Sequence, residues 1–291
     1  MNILFLAQHK WPHAGGVERH VQEISLSLRK KGHKVAIISS EDIKYPHIKF
    51  LGLFYIWFWL FKNRKLIDTN ELIHCHDVFI WYLPFRFLYP NKPVFTTFHG
   101  WEGVYPIPFK NILFKRLADK LSRGSIAVGK YIEKYYGIKV DKVIYGSVPL
   151  LRYNGTKEKG GIVFVGRLEK DTGVLDFIKW LKGKGKRRLV NQDFGKRSKV
   201  DFVGDGTLRK KCEKYGTVHG FTDPKPFYQK AEICIPGGYL SYIEAKAYGC
   251  KIKVFPNNPL KKDYWNEIMQ VKKFPNWDKI ADEYINLYNS I

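Results

Sequence analysis

The chain is short of acid, short of cysteine and without any apolar run long enough to cross a bilayer. Against 50 Lys and Arg it sets 27 Asp and Glu in 291 residues, a formal charge of +23. That deficit of acid implies an anionic partner, whether a phosphate-bearing ligand, anionic lipid or nucleic acid, and says nothing about fold. The four cysteines, Cys75, Cys212, Cys234 and Cys250, form no C-x-x-C pair. A zinc site is therefore not indicated, and the thiols read as free in a reducing cytoplasm. The most apolar stretch, Phe50 to Phe61, falls short of the roughly 20 residues a transmembrane helix needs. No G-x-G-x-x-G spacing occurs after the first strand, so a dinucleotide is not indicated. Met1 leads directly into a strand, and no signal peptide is expected.

What is present reads as alternating strand and helix. The length suits two domains of about 130–150 residues. Asn2 to Ala7 is a buried strand. After a loop, Val17, Val21, Ile24 and Leu28 place one apolar stripe on a helix that ends at Gly32. Gly15 and Gly16 before that helix allow a diphosphate to approach the backbone, or make a plain turn. Two later strands end in polar residues, at His76-Asp77 and at His99. In an open parallel sheet these carboxyl ends converge on one crevice, with Trp101-Glu102-Gly103 as a loop above it. Structural histidines are the competing interpretation. The aromatic run Phe50–Phe61, followed by Lys62, Arg64 and Lys65, is expected as a core helix, with a membrane-interface helix as the alternative.

The pattern restarts after a polar linker at Arg152–Gly160. A strand through Val165 ends in Gly166-Arg167, where a guanidinium can grip two phosphate oxygens. A later strand, Ile233 to Pro236, turns through Gly237-Gly238 into a helix expected to open at Ser241 and close at Gly249. Its amino end attracts an anion, and Glu244 accepts hydrogen bonds from a ligand's hydroxyls. Ser241-x-x-Glu244 is equally a capping box.

Taken together, His13-Ala14-Gly15-Gly16-Val17-Glu18, Val165-Gly166-Arg167-Leu168, Val203-Gly204-Asp205-Gly206, Gly220-Phe221 and Ile243-Glu244-Ala245 resemble the retaining glycosyltransferases of family four. That resemblance implies an α/β, GT-B fold of two Rossmann-like doubly wound domains facing a cleft. It implies an acceptor domain over 1–150, a donor domain over 151–272, and a final helix in 273–291 crossing back to the first. By the same resemblance Gly15 and Gly16 approach the donor diphosphate, Arg167 neutralises it, and Leu240 and Ser241 offer it N–H groups. Glu244 takes the ribose hydroxyls, Gly220 or Phe221 lines the base pocket, and His99 sits beside the transferred sugar. His76, Asp77 and Glu102 are acceptor-side candidates. The donor implied is a nucleotide sugar, a UDP-sugar foremost, with no metal and no other cofactor.

Two positions depart from the family pattern. The lysine expected five residues after the arginine is Thr172, with Lys170 the nearest substitute, and the first glutamate of the donor loop is replaced by Pro236. The expected acceptor is lipid-linked or a polysaccharide, on a cytoplasmic enzyme peripheral to the inner membrane face. That placement rests on the aromatic run together with the basic cluster Lys182–Lys199. The alternatives are a glucosyltransferase acting on DNA and a non-catalytic nucleotide-sugar-binding relative.

Overall fold

The computed structural model describes residues 1–11, 15–46, 51–100, 103–148, 155–183 and 200–290. It divides into two compact units, Met1–Gly146 with Lys272–Ile291, and Ser147–Val271.

The first unit runs β1 (Asn2–Ala7), α1 (Gly16–Lys30), β2 (Lys34–Ile38), α2 (Ser40–Ile43), α3 (Leu51–Lys62), α4 (Lys65–Thr69) and β3 (Leu72–His76). It continues through α5 (Phe79–Leu88), β4 (Val94–Phe98), α6 (Phe109–Leu121), β5 (Gly124–Ala127), α7 (Lys130–Tyr136) and β6 (Lys142–Val143). Its strands pair in parallel in the order β2-β1-β3-β4-β5-β6. The order reverses at β1, so a crevice opens at the carboxyl ends of β1 and β3. Every residue of β3 and β4 is buried, as a parallel sheet covered on both faces requires.

The second unit runs β7 (Glu158–Val165), a single 3₁₀ turn (Lys170–Thr172), α8 (Val174–Lys182), β8 (Val200–Val203), α9 (Arg209–Cys212) and β9 (Thr217–Val218). Then come α10 (Lys225–Lys230), β10 (Ala231–Pro236), α11 (Tyr239–Ala247), β11 (Lys251–Ile252) and α12 (Pro259–Gln270). Its sheet, again parallel, has the order β11-β10-β7-β8-β9 and reverses between β7 and β10. Alternation along β7 sends Ile162 and Phe164 to one face, against Phe177 and Ile178 of α8. Val163 and Val165 go to the other, against Tyr228 of α10 and Ala245 of α11. Helices therefore cover both faces of this sheet.

The last helix, α13 (Trp277–Asn289), packs in the first unit. Trp277, Ile280, Ala281, Tyr284 and Tyr288 fall on one stripe and join Phe5, Ile24 and Phe95 in one core. The Asn276 side chain caps the helix by accepting from the Lys279 N–H at 2.9 Å.

Three expectations need correction or limit. The helix after β10 opens at Tyr239, two residues before Ser241. Gly238, two residues past the strand, is its cap in an extended conformation, and Ser241 bonds back to it from the first turn. The aromatic run is a helix but not a core helix: α3 buries Gly52, Ile56 and Leu60 and leaves Leu51, Phe54, Tyr55, Phe58 and Phe61 exposed. A run apolar all round carries no mark of which side faces in. Glu102 and most of the basic cluster, residues 184–199, lie outside the described residues. The four cysteines are free and buried.

Ile280 is fully buried in the core shared by α13 and the first sheet. Ile280→Ala should cost about 2–5 kcal/mol, read as a lowered midpoint in denaturant unfolding with an unchanged slope.

Candidate active site

The second unit's switch point is built from glycine. Gly166 follows β7 and Gly237 follows β10, and a Cβ placed on Gly166 would stand 2.8 Å from the Gly237 Cα. The Gly237 N–H donates to the Val165 carbonyl at 2.8 Å, and the Gly166 N–H donates to the Val203 carbonyl at 3.0 Å. Gly204, after β8, presses on the Gly166 carbonyl so closely that a Cβ there has no room. Gly166 and Gly204 have φ of 155° and 139°, where side chains are strained. Three strand ends thus pack backbone to backbone, and each aims the residue that follows.

Arg167 follows the first of these glycines. Its Nη2 donates to the Asp171 carboxylate at 2.9 Å; Asp171 is buried, while about half of the Arg167 side chain is exposed. The loop beyond is fastened by Glu169, which accepts from the Thr207 backbone N–H at 2.7 Å and from its hydroxyl at 2.6 Å. The Thr207 hydroxyl, foremost, holds the Glu169 carboxyl below its usual range. The Asn257 amide donates to the Lys170 carbonyl at 2.8 Å, which brings the start of α12 to this turn. Lys261, in the first turn of α12, stands near enough to feel both Asp171 and Arg167, and burial brings its ammonium down to about 8.

Lys261 was not read from the sequence. It lies far along the chain from Arg167, and no local signal joins them. Lys170, the substitute expected from spacing, sits in the 3₁₀ turn with its carbonyl held by Asn257.

Helix α11 starts from the second glycine turn. The Ser241 hydroxyl donates to the Gly238 carbonyl at 2.8 Å and accepts from the Gly238 N–H at 3.3 Å. The cap therefore uses Gly238 and Ser241 and not Glu244. Leu240 is buried and Ser241 half-buried in this first turn, where N–H groups have no partner within the helix. Glu244 lies a turn further on, buried, and accepts from the Tyr228 hydroxyl at 3.1 Å. Tyr228 was also missed, since an apolar helix position in α10 hides its polar tip. Gly220, with φ of 68°, pairs with Gly204 across the ends of β8 and β9. Phe221 beside it is largely exposed.

In the first unit His76, Asp77 and His99 come together. His76 Nδ1 lies 3.0 Å from His99 Nε2, and the His99 N–H donates to the Asp77 carboxylate at 3.0 Å. Lys115 Nζ donates to the other Asp77 oxygen at 2.7 Å. The His20 ring of α1 meets His99 edge-on at 4.7 Å between centroids. Behind these, His74 Nε2 bonds the Thr97 hydroxyl at 2.7 Å, which bonds the Tyr284 hydroxyl at 3.0 Å. His20 Nε2 reaches that same Tyr284 hydroxyl at 3.1 Å. Burial holds the His20 and His74 imidazoles down to about 3 and pushes His76 and His99 well below their ordinary value. All four are neutral at pH 7, so His99 can exchange hydrogen bonds there but carries no charge. His76 Nε2 is buried with no partner. His20 was legible as a polar residue on the α1 stripe, one step from Val21.

Gly15 caps α1 and Gly16 opens it, but the Glu18 carboxylate lies directly against Gly15. A phosphate reaching that backbone has to displace it. A cavity of about 400 Å³ lies at the opposite end of the first sheet, lined by Arg86, Lys92 and Arg123. Arg86 and Lys92 there donate to the Leu121, Pro90 and Asn70 carbonyls, and amino ends of parallel strands are not where such sheets bind ligands.

Residues 14–148, just under half of the chain, match the domain described as Glycosyltransferase Family 4. No curated protein matches the sequence. Among solved structures, the catalytic domain of starch synthase IV from Arabidopsis thaliana, bound to ADP and acarbose, is similar with a TM-score of 0.64. It has 12% identity over 99% of each chain. WaaG, a glycosyltransferase involved in lipopolysaccharide biosynthesis, gives 0.61 at 13% identity over 98% of this chain and 95% of its own. An α-glucosyltransferase in complex with UDP and a 13-mer DNA gives 0.59 at 10% identity, over 99% and 90%. The fold is GT-B. Domain and fold together support a glycosyltransferase. In this glycosyltransferase framework the two switch points described above are the candidate active-site elements.

Neutral burial of the four histidines sets a pH dependence. Unfolded, each takes up a proton near pH 6.5; folded, none does until far lower, so stability is full above about pH 7 and falls as pH drops. Each histidine contributes a slope of about 1.4 kcal/mol per pH unit below its unfolded pKa. Denaturant unfolding between pH 8 and 5 should show that fall, and His20→Phe should make it shallower; a flat profile would contradict neutral burial.

Proposed function

We propose that the second unit binds a nucleotide-sugar donor, a UDP-sugar foremost, with its diphosphate at the carboxyl ends of β7 and β10. The observation that carries this reading is the Gly166–Gly237 contact, which places Arg167 and the amino end of α11 at one switch point. An anion there meets a guanidinium, the N–H groups of Leu240 and Ser241, and the Lys261 ammonium. Lys261 stands in for the lysine absent at Thr172, supplying the cation from α12. Glu244, steadied by Tyr228, accepts the ribose hydroxyls, and Gly220-Phe221 borders the base. In the first unit, Gly15 and Gly16 offer backbone N–H groups to a phosphate once the Glu18 carboxylate gives way.

The reaction proposed replaces the nucleotide at the anomeric carbon with retention of configuration. Charge gathers on the leaving diphosphate, and Arg167, Lys261 and the helix amides are arranged to hold it. In the first unit, His99 is suited to serve a sugar hydroxyl as a neutral hydrogen-bond partner, oriented by His76 and by Asp77 at its backbone. His76, Asp77 and Glu102 are the acceptor-side groups, and the acceptor is a lipid-linked or polysaccharide glycan. Complexes of similar proteins with UDP and with ADP support a nucleoside diphosphate as the leaving group.

The net charge of +23 and a similar protein crystallised with DNA favour one second reading, in which duplex DNA is the acceptor. Binding to a short duplex over a salt series decides it: affinity must fall steeply with salt if phosphates are engaged.

A thermal-shift screen of UDP-, GDP- and ADP-sugars tests the donor site. The cognate donor at about 100–1,000 times its Kd should stabilise the protein by about 3–4 kcal/mol. Arg167→Ala should lower kcat/KM about 10²–10³-fold, and Lys261→Ala at least about tenfold. Full activity in Arg167→Ala would overturn the assignment.

A further inference from the structure

Helix α3 is apolar on two opposite sides. Gly52, Ile56 and Leu60 are buried against the first unit, and the Trp57 indole donates to the Ile80 carbonyl at 3.0 Å, tying the helix to α5. Leu51, Phe54, Tyr55, Phe58 and Phe61 recur at i, i+3, i+4, i+7 and i+10, which is one outward stripe. Each of these five is between 41% and 61% exposed. At about 100 Å² apiece they leave about 500 Å² of apolar surface in water, near the upper limit for a soluble monomer. Helix α5, tied to α3 by the Trp57 bond, carries a further exposed Phe87.

Along the sequence, the charge flanking α3 is of one sign. No Asp or Glu occurs between Asp42 and Asp68, while Lys44, Lys49, Lys62, Arg64 and Lys65 do. Lys62 Nζ lies 4.8 Å from the Phe58 ring centroid, and the Arg64 guanidinium 5.3 Å from that of Phe61. The cations therefore sit over the same rings that form the stripe, at its carboxyl end. No helix among the described residues is long and apolar enough to cross a membrane. A second copy of the chain is poorly matched: a standard interface takes about 800 Å² from each partner.

We propose that this face of the first unit is a docking surface for an anionic lipid bilayer. Helix α3 lies in the interface plane, its aromatic stripe among the acyl chains and Lys62, Arg64 and Lys65 at the lipid phosphates. The proposal stands on the first unit alone and does not depend on the donor site.

The test is co-sedimentation of the whole protein with phosphatidylcholine vesicles, with and without phosphatidylglycerol, at several salt concentrations. Wild type should partition onto the anionic vesicles at least tenfold better than onto neutral ones, and less so as salt rises. The double variant Phe54→Glu, Phe58→Glu should lose at least tenfold of that partition. Lys62→Glu with Arg64→Glu should lose the preference for anionic lipid. Brominated lipid should quench the fluorescence that disappears in Trp59→Phe, a reading that needs no disruptive variant. Equal sedimentation of the Phe54, Phe58 variant and wild type, absence of quenching, or a wild-type dimer that this variant makes monomeric would overturn the proposal. The nucleotide-sugar thermal shift, measured on the same variants, should be unchanged, so failure here is separate from failure of the donor reading.

Discussion

Where β7 and β10 end, two glycines touch, and the second unit's candidate chemistry depends on that contact. Parallel strands diverge where their order reverses, and a ligand can approach only if nothing fills the gap. Gly166 and Gly237 leave it unfilled by pressing main chain on main chain, and Gly204 leaves no room behind them. A methyl group on any of the three would push the strand ends apart. Arg167 and the first turn of α11 each begin one or two residues beyond the contact, so backbone fixes where the Arg167 side chain starts relative to the helix amino end, and the Asp171 carboxylate then holds its guanidinium. Such positioning costs nothing at the moment charge develops, which is what electrostatic stabilisation of a leaving group demands.

The first unit solves a different problem with buried imidazoles. Its strands β3 and β4 are covered on both faces yet carry His74, His76, Thr96 and Thr97. Unpaired polar groups there would cost more than the apolar residues they replace. They find partners on other elements: Tyr288 of α13 bonds His74, Tyr284 of α13 bonds Thr97, Ser122 bonds Thr96 and His99 bonds His76. The final helix thus supplies hydrogen bonds as well as apolar surface to the first sheet. His99 rests at the edge of this network, kept neutral by burial and held at its backbone by Asp77, while His76 Nε2 keeps one unmet bond.

Strand and helix alternation was plain in the sequence because parallel strands are uniformly apolar and their helices carry a single stripe. Arg167, Glu244 and the paired glycines were legible from local spacing. Whether Glu244 capped a helix was not, since the boundary lies two residues earlier, with Gly238 rather than the serine as the cap. Lys261 and Tyr228 were invisible for a different reason: each acts on a residue that only the fold brings near. The outward face of α3 could not be read either, because a helix apolar on every side has no periodicity to break the tie. His20 could have been found as the one imidazole in the α1 stripe.

Amide hydrogen exchange in the presence and absence of UDP most directly tests the idea that a diphosphate sits on the α11 amino end beside Arg167. The account predicts slower exchange at Tyr239, Leu240 and Ser241 and in the Gly166–Leu168 turn when UDP is bound. It predicts no such change in those segments for Arg167→Ala at the same UDP concentration. Unaltered exchange of these amides under saturating UDP, with protection appearing elsewhere in the chain, would contradict it.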